Sequence, residues 1–166
     1  TGIGSSEVQA RFLARPLVGI SHVVGGGIAL LLGPFQLSDK FRKGHLKRHR
    51  LTGRIYLVAV LFAGLAGLYS ATVTDGGFSA RLGFGTLATL CVISGSLAYF
   101  SIKKGDAKQH RYWMIRNYAL TYAAVSLRIL LPLFMVSGLE YETAYQAIAW
   151  TCWVPNLIIA EWAILK

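Results

Sequence analysis

Five apolar runs, each about as long as a bilayer is thick, constrain this chain more than any motif within it. They cover residues 16–37, 55–74, 82–102, 117–137 and 144–165, and each is bounded by charge, Gly or Pro. A helix rises about 1.5 Å per residue, so roughly 20 apolar residues cross a hydrocarbon layer about 30 Å thick. Lipid offers the backbone no hydrogen-bond partners, so a single run has to satisfy its own N–H and C=O groups by coiling into a helix. Short connections make neighbouring helices antiparallel. The expected fold is therefore all-α, a polytopic transmembrane helix bundle of about five antiparallel spans over 16–166, behind a polar amino-terminal segment, 1–15.

Composition agrees, with 54% hydrophobic and 14% charged residues and a mean hydropathy of +0.50. A soluble domain carries roughly 25% charged residues. The formal net charge of +10 raises nucleic acid as a partner, but the placement of the charge argues against it. Lys40, Arg42, Lys43, Lys47, Arg48, Arg50 and Arg54 fill the first connection against Asp39, and Lys103, Lys104, Lys108, Arg111 and Arg116 fill the third against Asp106. The second and fourth connections hold Asp75, Arg81, Glu140 and Glu142. Basic residues on alternate connections are the positive-inside pattern. They predict that loops 38–54 and 103–116 face the inner side of a bacterial cytoplasmic membrane, or of an organelle membrane descended from one. Nucleic acid is not expected as a partner. The bilayer, anionic lipid headgroups and other membrane subunits are.

Local signals set the helix ends. Pro16 suits a first helical turn, and Pro34 is expected to stop helix 1. Helix 2 is expected from Arg54 to the Asp75-Gly76-Gly77 turn, helix 4 from Arg111 to Met135, and helix 5 from Thr143 to Leu165. Gly25, Gly26, Gly27, Gly64, Gly67, Gly83 and Gly95 predict close helix packing, because small residues let backbones approach in lipid. Cys91 and Cys152 both fall within spans, where they pack as small apolar residues rather than forming a disulfide framework.

Three groups of residues stand out as candidates for chemistry. His22 lies about 9 Å below the outer end of helix 1, with Gly19 and Gly26 on its face. Arg128 lies about 13 Å from the outer end of helix 4, and Asn156, beside Pro155, is at a similar depth. Intramembrane ionisable residues are functional candidates by default. His22, Arg128 and Asn156 are therefore a candidate cluster for a quinone carbonyl, a haem propionate or a proton-carrying water, against the alternative of a packing network. His49 and His110 enter helices 2 and 4 at matching depth and are candidate haem ligands. Arg50, Arg54, Arg111 and Arg116 beside them fit either haem propionates or lipid headgroups. His45 and His49 have the i, i+4 spacing of a metal pair, with His110 a possible third zinc ligand. Nothing matches a phosphate-binding loop or a nucleophile–base arrangement, which argues against hydrolytic catalysis.

The runs Gly25-Gly26-Gly27-Ile28-Ala29-Leu30-Leu31-Leu32-Gly33-Pro34-Phe35-Gln36, His49-Arg50-x-x-Gly53-Arg54-x-Tyr56, His110-Arg111-x-Trp113-Met114-Ile115-Arg116 and Trp150-x-x-Trp153-x-Pro155-Asn156-Leu157 resemble the signatures of a large, mostly bacterial family of membrane proteins. The resemblance covers nearly the whole chain and implies a multi-helix membrane fold. It also implies one further helix before residue 1 in full-length relatives, and it implies no particular activity. In architecture alone, the chain is similar to b-type cytochromes of the 561 class, which imply bis-His haem. Two functions stand open: a non-catalytic accessory or scaffold subunit docking partner helices and lipid, or an electron-transfer module holding haem b or quinone.

Overall fold

The computed structural model describes residues 15–74 and 76–166, so nearly all of the polar 1–15 segment and Asp75 of the expected turn lie outside the described residues. The elements, in order, are α1 (Pro16–Leu37), α2 (Asp39–Gly44), α3 (Leu46–Thr72), α4 (Gly77–Lys103), α5 (Ala107–Thr121), α6 (Ala123–Val136), α7 (Tyr141–Thr151) and α8 (Val154–Leu165). Five helical units are long and apolar enough to cross a membrane: α1, α3, α4, α5 with α6, and α7 with α8. The all-α bundle of five spans expected from hydropathy is the fold.

Several boundaries differ, each for a physical reason. Helix α1 runs through Pro34 to Leu37 instead of stopping. Pro34 has no N–H for the carbonyl of Leu30 one turn back, and the Tyr118 hydroxyl donates to that carbonyl at 3.4 Å. The Tyr118 ring lies against Gly33, where no Cβ would fit. Helix α3 starts at Leu46, two turns before Arg54, because Leu, Lys and Arg are good helix formers with no need of lipid. Fourth and fifth spans are each interrupted, at Tyr122 and at Cys152–Trp153. The second break precedes Pro155, which again removes a helical donor.

Local chemistry closes the connections. Ser38 caps α2 by accepting the Phe41 N–H at 3.2 Å, with Asp39 in its first turn and Arg42 and Lys43 in its last. That order of charge complements the helix dipole. Gly105 and Gly138 take φ of +82° and +88°. There the Asp106 N–H reaches back to the Ser101 carbonyl and the Leu139 N–H to the Phe134 carbonyl, the six-to-one closure that glycine permits beyond a helix end.

Helix α4 is the centre of the bundle, packing on α3, α5 and α7, while α1 lies along α3 and touches α5. Small residues set these approaches. A methyl built on Gly83 would stand 2.7 Å from the Ala149 carbonyl oxygen, and one on Gly25 would stand 2.8 Å from that of Ala59. The apolar core falls into two clusters. One, toward the basic loops, joins Ala29, Tyr56, Val60, Ala98 and Met114. The other, in the opposite half, joins Leu120, Ala123, Ile148, Cys152 and Trp153.

Candidate functional site

A polar centre lies between the two clusters. Asn117 of α5 is fully buried, as is Tyr56 of α3. The Tyr56 hydroxyl donates to Asn117 Oδ1 at 2.7 Å, and Asn117 Nδ2 donates to the Cys91 carbonyl at 2.8 Å and to Ser94 Oγ at 2.9 Å. Ser94 Oγ in turn donates to the Leu90 carbonyl at 2.6 Å, and Thr121 Oγ1 to the Asn117 carbonyl at 2.9 Å. The network ties α3, α4 and α5 together and satisfies every donor and acceptor of the Asn117 amide that a neighbour can reach. A complete network of this kind fixes helix order and register. The sequence held two signals for it: an Asn at the start of one apolar run, and a Tyr at the start of another.

No direct hydrogen bond joins any two of His22, Arg128 and Asn156 among the described residues. The His22 ring sits on Gly67 of α3, with Nδ1 at 3.1 Å from the Ala63 carbonyl. A carbonyl only accepts, so Nδ1 is the donor in this contact. No side chain would obstruct a Cβ at Gly26, so that glycine faces open space. Asn156 Nδ2 donates to Ser126 Oγ at 3.1 Å and to the Cys152 carbonyl at 2.9 Å, joining the two interrupted spans. Arg128 is exposed, and its Nη1 donates at 2.7 Å to the Ala124 carbonyl of its own helix.

At the basic end, His49 and His110 lie near enough to interact electrostatically. His110 Nδ1 donates to the Ala98 carbonyl at 2.8 Å, while His49 Nδ1 is enclosed without a hydrogen-bond partner. A haem held between them needs a flat slot as wide as a porphyrin. One to two turns further in, that level is filled by Tyr56, Met114 and Ala98, with Leu37 and Trp113 against them. The residues present do not fit a haem inside the bundle. Nor do they form the zinc site: no three metal-ligating side chains converge among the described residues. His45 stacks on Phe41 instead, ring centroids 5.8 Å apart.

The four arginines divide into two pairs. Arg116 is half-buried and donates twice to Glu161 at 2.5 and 2.8 Å, with its guanidinium over the Trp113 ring at 4.7 Å. Arg111 donates to Asp39 at 2.6 Å, which holds α2 against the start of α5. This and the Arg42 contact keep the Asp39 carboxyl below its ordinary pKa, with Arg111 the larger influence. Arg50 and Arg54 make no hydrogen bond or ion pair among the described residues. Gln36, the last residue of the glycine-rich run, donates to Thr52 Oγ1 at 2.7 Å and lies over Gly53.

Five apolar helical spans around a satisfied polar centre define a polytopic helical membrane protein. The chain belongs to the family described as Predicted membrane protein (DUF2306), whose model matches residues 19–164. No curated protein and no solved structure matches it.

Proposed function

We propose that this protein is a non-catalytic scaffold subunit whose surface docks a transmembrane helix of another subunit in the half away from the basic loops. The observation that carries this reading is Arg128. Its guanidinium has five N–H donors, and the one hydrogen bond it makes among the described residues is to a carbonyl of its own helix. It lies eight residues from Val136 at the end of α6, about 12 Å along the axis. A guanidinium at hydrocarbon depth costs on the order of 3 kcal/mol. A carboxylate or a set of carbonyls on a neighbouring helix offsets that cost. The neighbouring Ile129 and Leu133 are exposed and supply an apolar margin for such a contact. The closed, small-residue interior also suits a protein that acts through its surface.

A photo-cross-linker in place of Ile129, in the native membrane, tests this. A cross-linked partner subunit is expected, falling more than about tenfold in Arg128→Leu and partly retained in Arg128→Lys. The same cross-links in Arg128→Leu, or cross-links to lipid alone, refute it.

One observation favours a redox reading as second. His22 and His110 both have Nδ1 anchored on a backbone carbonyl, which fixes the ring and leaves Nε2 free. Imidazoles that ligate metals are oriented in this way. Without an interior slot, a haem or quinone would have to sit at the bundle surface. The visible spectrum of the purified protein decides: a Soret band that weakens in His110→Ala or His22→Ala supports haem, and extraction identifies any quinone.

A further inference from the structure

The bundle surface carries a groove between α1 and α3, of about 450 Å³. Gly25 makes it possible: α1 settles so close to the Ala59 carbonyl there that the two helices leave a trough beside their crossing. Its walls include Val24 and Ile28 on one side and Ile55, Val58 and Phe62 on the other, and its lining is almost wholly apolar. From Arg54 to Phe62 it runs about 12 Å along the helix axis.

Ser21 is a polar residue of the lining, and its charged residue is at one end. Arg54 lines the groove on the basic-loop side, exposed and without a protein partner among the described residues. Arg50 lies one turn below it on the same face of α3, in the same state. Depth places this pair. Helix α3 has 27 residues and is about 40 Å long, roughly 10 Å more than the hydrocarbon. The charged residues of α3 all lie between Lys47 and Arg54, so the excess length belongs to that end. Arg54 then stands where hydrocarbon gives way to phosphate.

We infer that the α1–α3 groove is a binding site for one anionic phospholipid of the leaflet on the basic side, an acyl chain lying in the trough and its phosphate held by Arg54 and Arg50. Apolar walls that end at two unpaired guanidiniums match a molecule with a long hydrocarbon tail and a negative head. A partner helix would match the walls but leave both guanidiniums unanswered. A free phosphate would match the guanidiniums and leave the walls bare. Arg111 and Arg116, already paired to Asp39 and Glu161, are not part of this site.

Native mass spectrometry of the full chain, released from micelles containing phosphatidylglycerol or phosphatidylcholine, tests this. One phosphatidylglycerol is expected to persist, with phosphatidylcholine held more weakly. Arg54→Gln and Arg50→Gln should each lower phosphatidylglycerol retention roughly fivefold and phosphatidylcholine retention by less. Val58→Trp, which fills the trough, should reduce both lipids. Lys47→Gln, on the same helix end but outside the groove, should change neither. The far-ultraviolet spectrum of each variant shows that the fold is intact. Equal retention of both lipids by wild-type protein overturns the site, as does unchanged phosphatidylglycerol binding in Arg54→Gln and Val58→Trp. So does competition by inorganic phosphate alone, or a dimer that Val58→Trp dissociates, since the occupant would then be a free anion or a second copy.

Discussion

The two halves of the bundle solve the same packing problem with different chemistry. Toward the basic loops, the helices are joined by side chains that name their partners: Tyr56 to Asn117, Gln36 to Thr52, Arg116 to Glu161, Arg111 to Asp39. In the other half, the close approach of Gly83 to the Ala149 carbonyl and the packing of Phe84, Tyr145, Ile148 and Trp153 do most of the joining. Side-chain pairs there are fewer and longer, Asn156 with Ser126 at 3.1 Å and Trp150 with Ser79 at 3.3 Å, while His22 and Arg128 spend a hydrogen bond on backbone carbonyls and remain exposed. Apolar surface gives helices no preference for one another over lipid. Specific pairing therefore comes mainly from the polar half, while in the other half, where both spans are interrupted, close backbone packing carries more of the contact.

Substitutions can break that contrast. The largest effect is expected from Gly83→Leu, because the obstacle is the Ala149 backbone and cannot rotate aside. A loss of about 3 kcal/mol or more is expected, read by unfolding in mixed detergent micelles. Asn117→Leu should come next. It strips partners from the Tyr56 hydroxyl, the Cys91 carbonyl and Ser94. Interhelical hydrogen bonds in membranes average about 0.6 kcal/mol, so three lost bonds give roughly 2 kcal/mol. If Asn117→Leu proves neutral, helix order does not depend on the polar centre and the contrast between halves fails.

Glu161→Gln should cost about 1 kcal/mol in the same assay, since the paired groups are partly exposed and screened. Arg128→Leu should leave the stability of the isolated protein unchanged or slightly raised, because its contact is internal to α6. A marked loss there would show that Arg128 supports the bundle itself and would remove the reason to give it a partner.

Hydropathy over windows of about twenty residues made the five spans legible, because length and apolarity are properties of a run, not of its neighbours. What it could not supply was azimuth. His22, Arg128 and Asn156 share a depth, which made a cluster plausible, but Asn156 turns to Ser126 and His22 to Ala63. Depth was informative where it was matched to the right residue. Glu161 lies near the basic end, as does Arg116, and the two pair across antiparallel helices. The extra turns of α3 carry no apolar signal, so only the helix propensity of the basic 38–53 segment points to them. The break at Cys152–Trp153 was foreshadowed by Pro155, whereas the break at Tyr122 has no comparable mark in the sequence.

The smallest effect tests the edge of the polar half. Asp39 accepts from both Arg111 and Arg42 at the surface, and those contacts hold its folded pKa below the unfolded value of 3.8. A depressed carboxylate contributes stability that is fully present above the unfolded pKa and is lost as pH falls through the folded one. The docking of α2 should therefore be constant at neutral pH and loosen only below about pH 4. A nitroxide on Lys43→Cys, followed from about pH 6 to about pH 3, should report that loosening. Asp39→Asn should show the mobile signal at every pH, and high salt should move wild-type protein toward it, as screening weakens exposed pairs. If the label is equally mobile in both proteins at neutral pH, α2 is held by Phe41 against Phe35 and by its Ser38 cap instead, and the run of named polar pairs ends at Arg116.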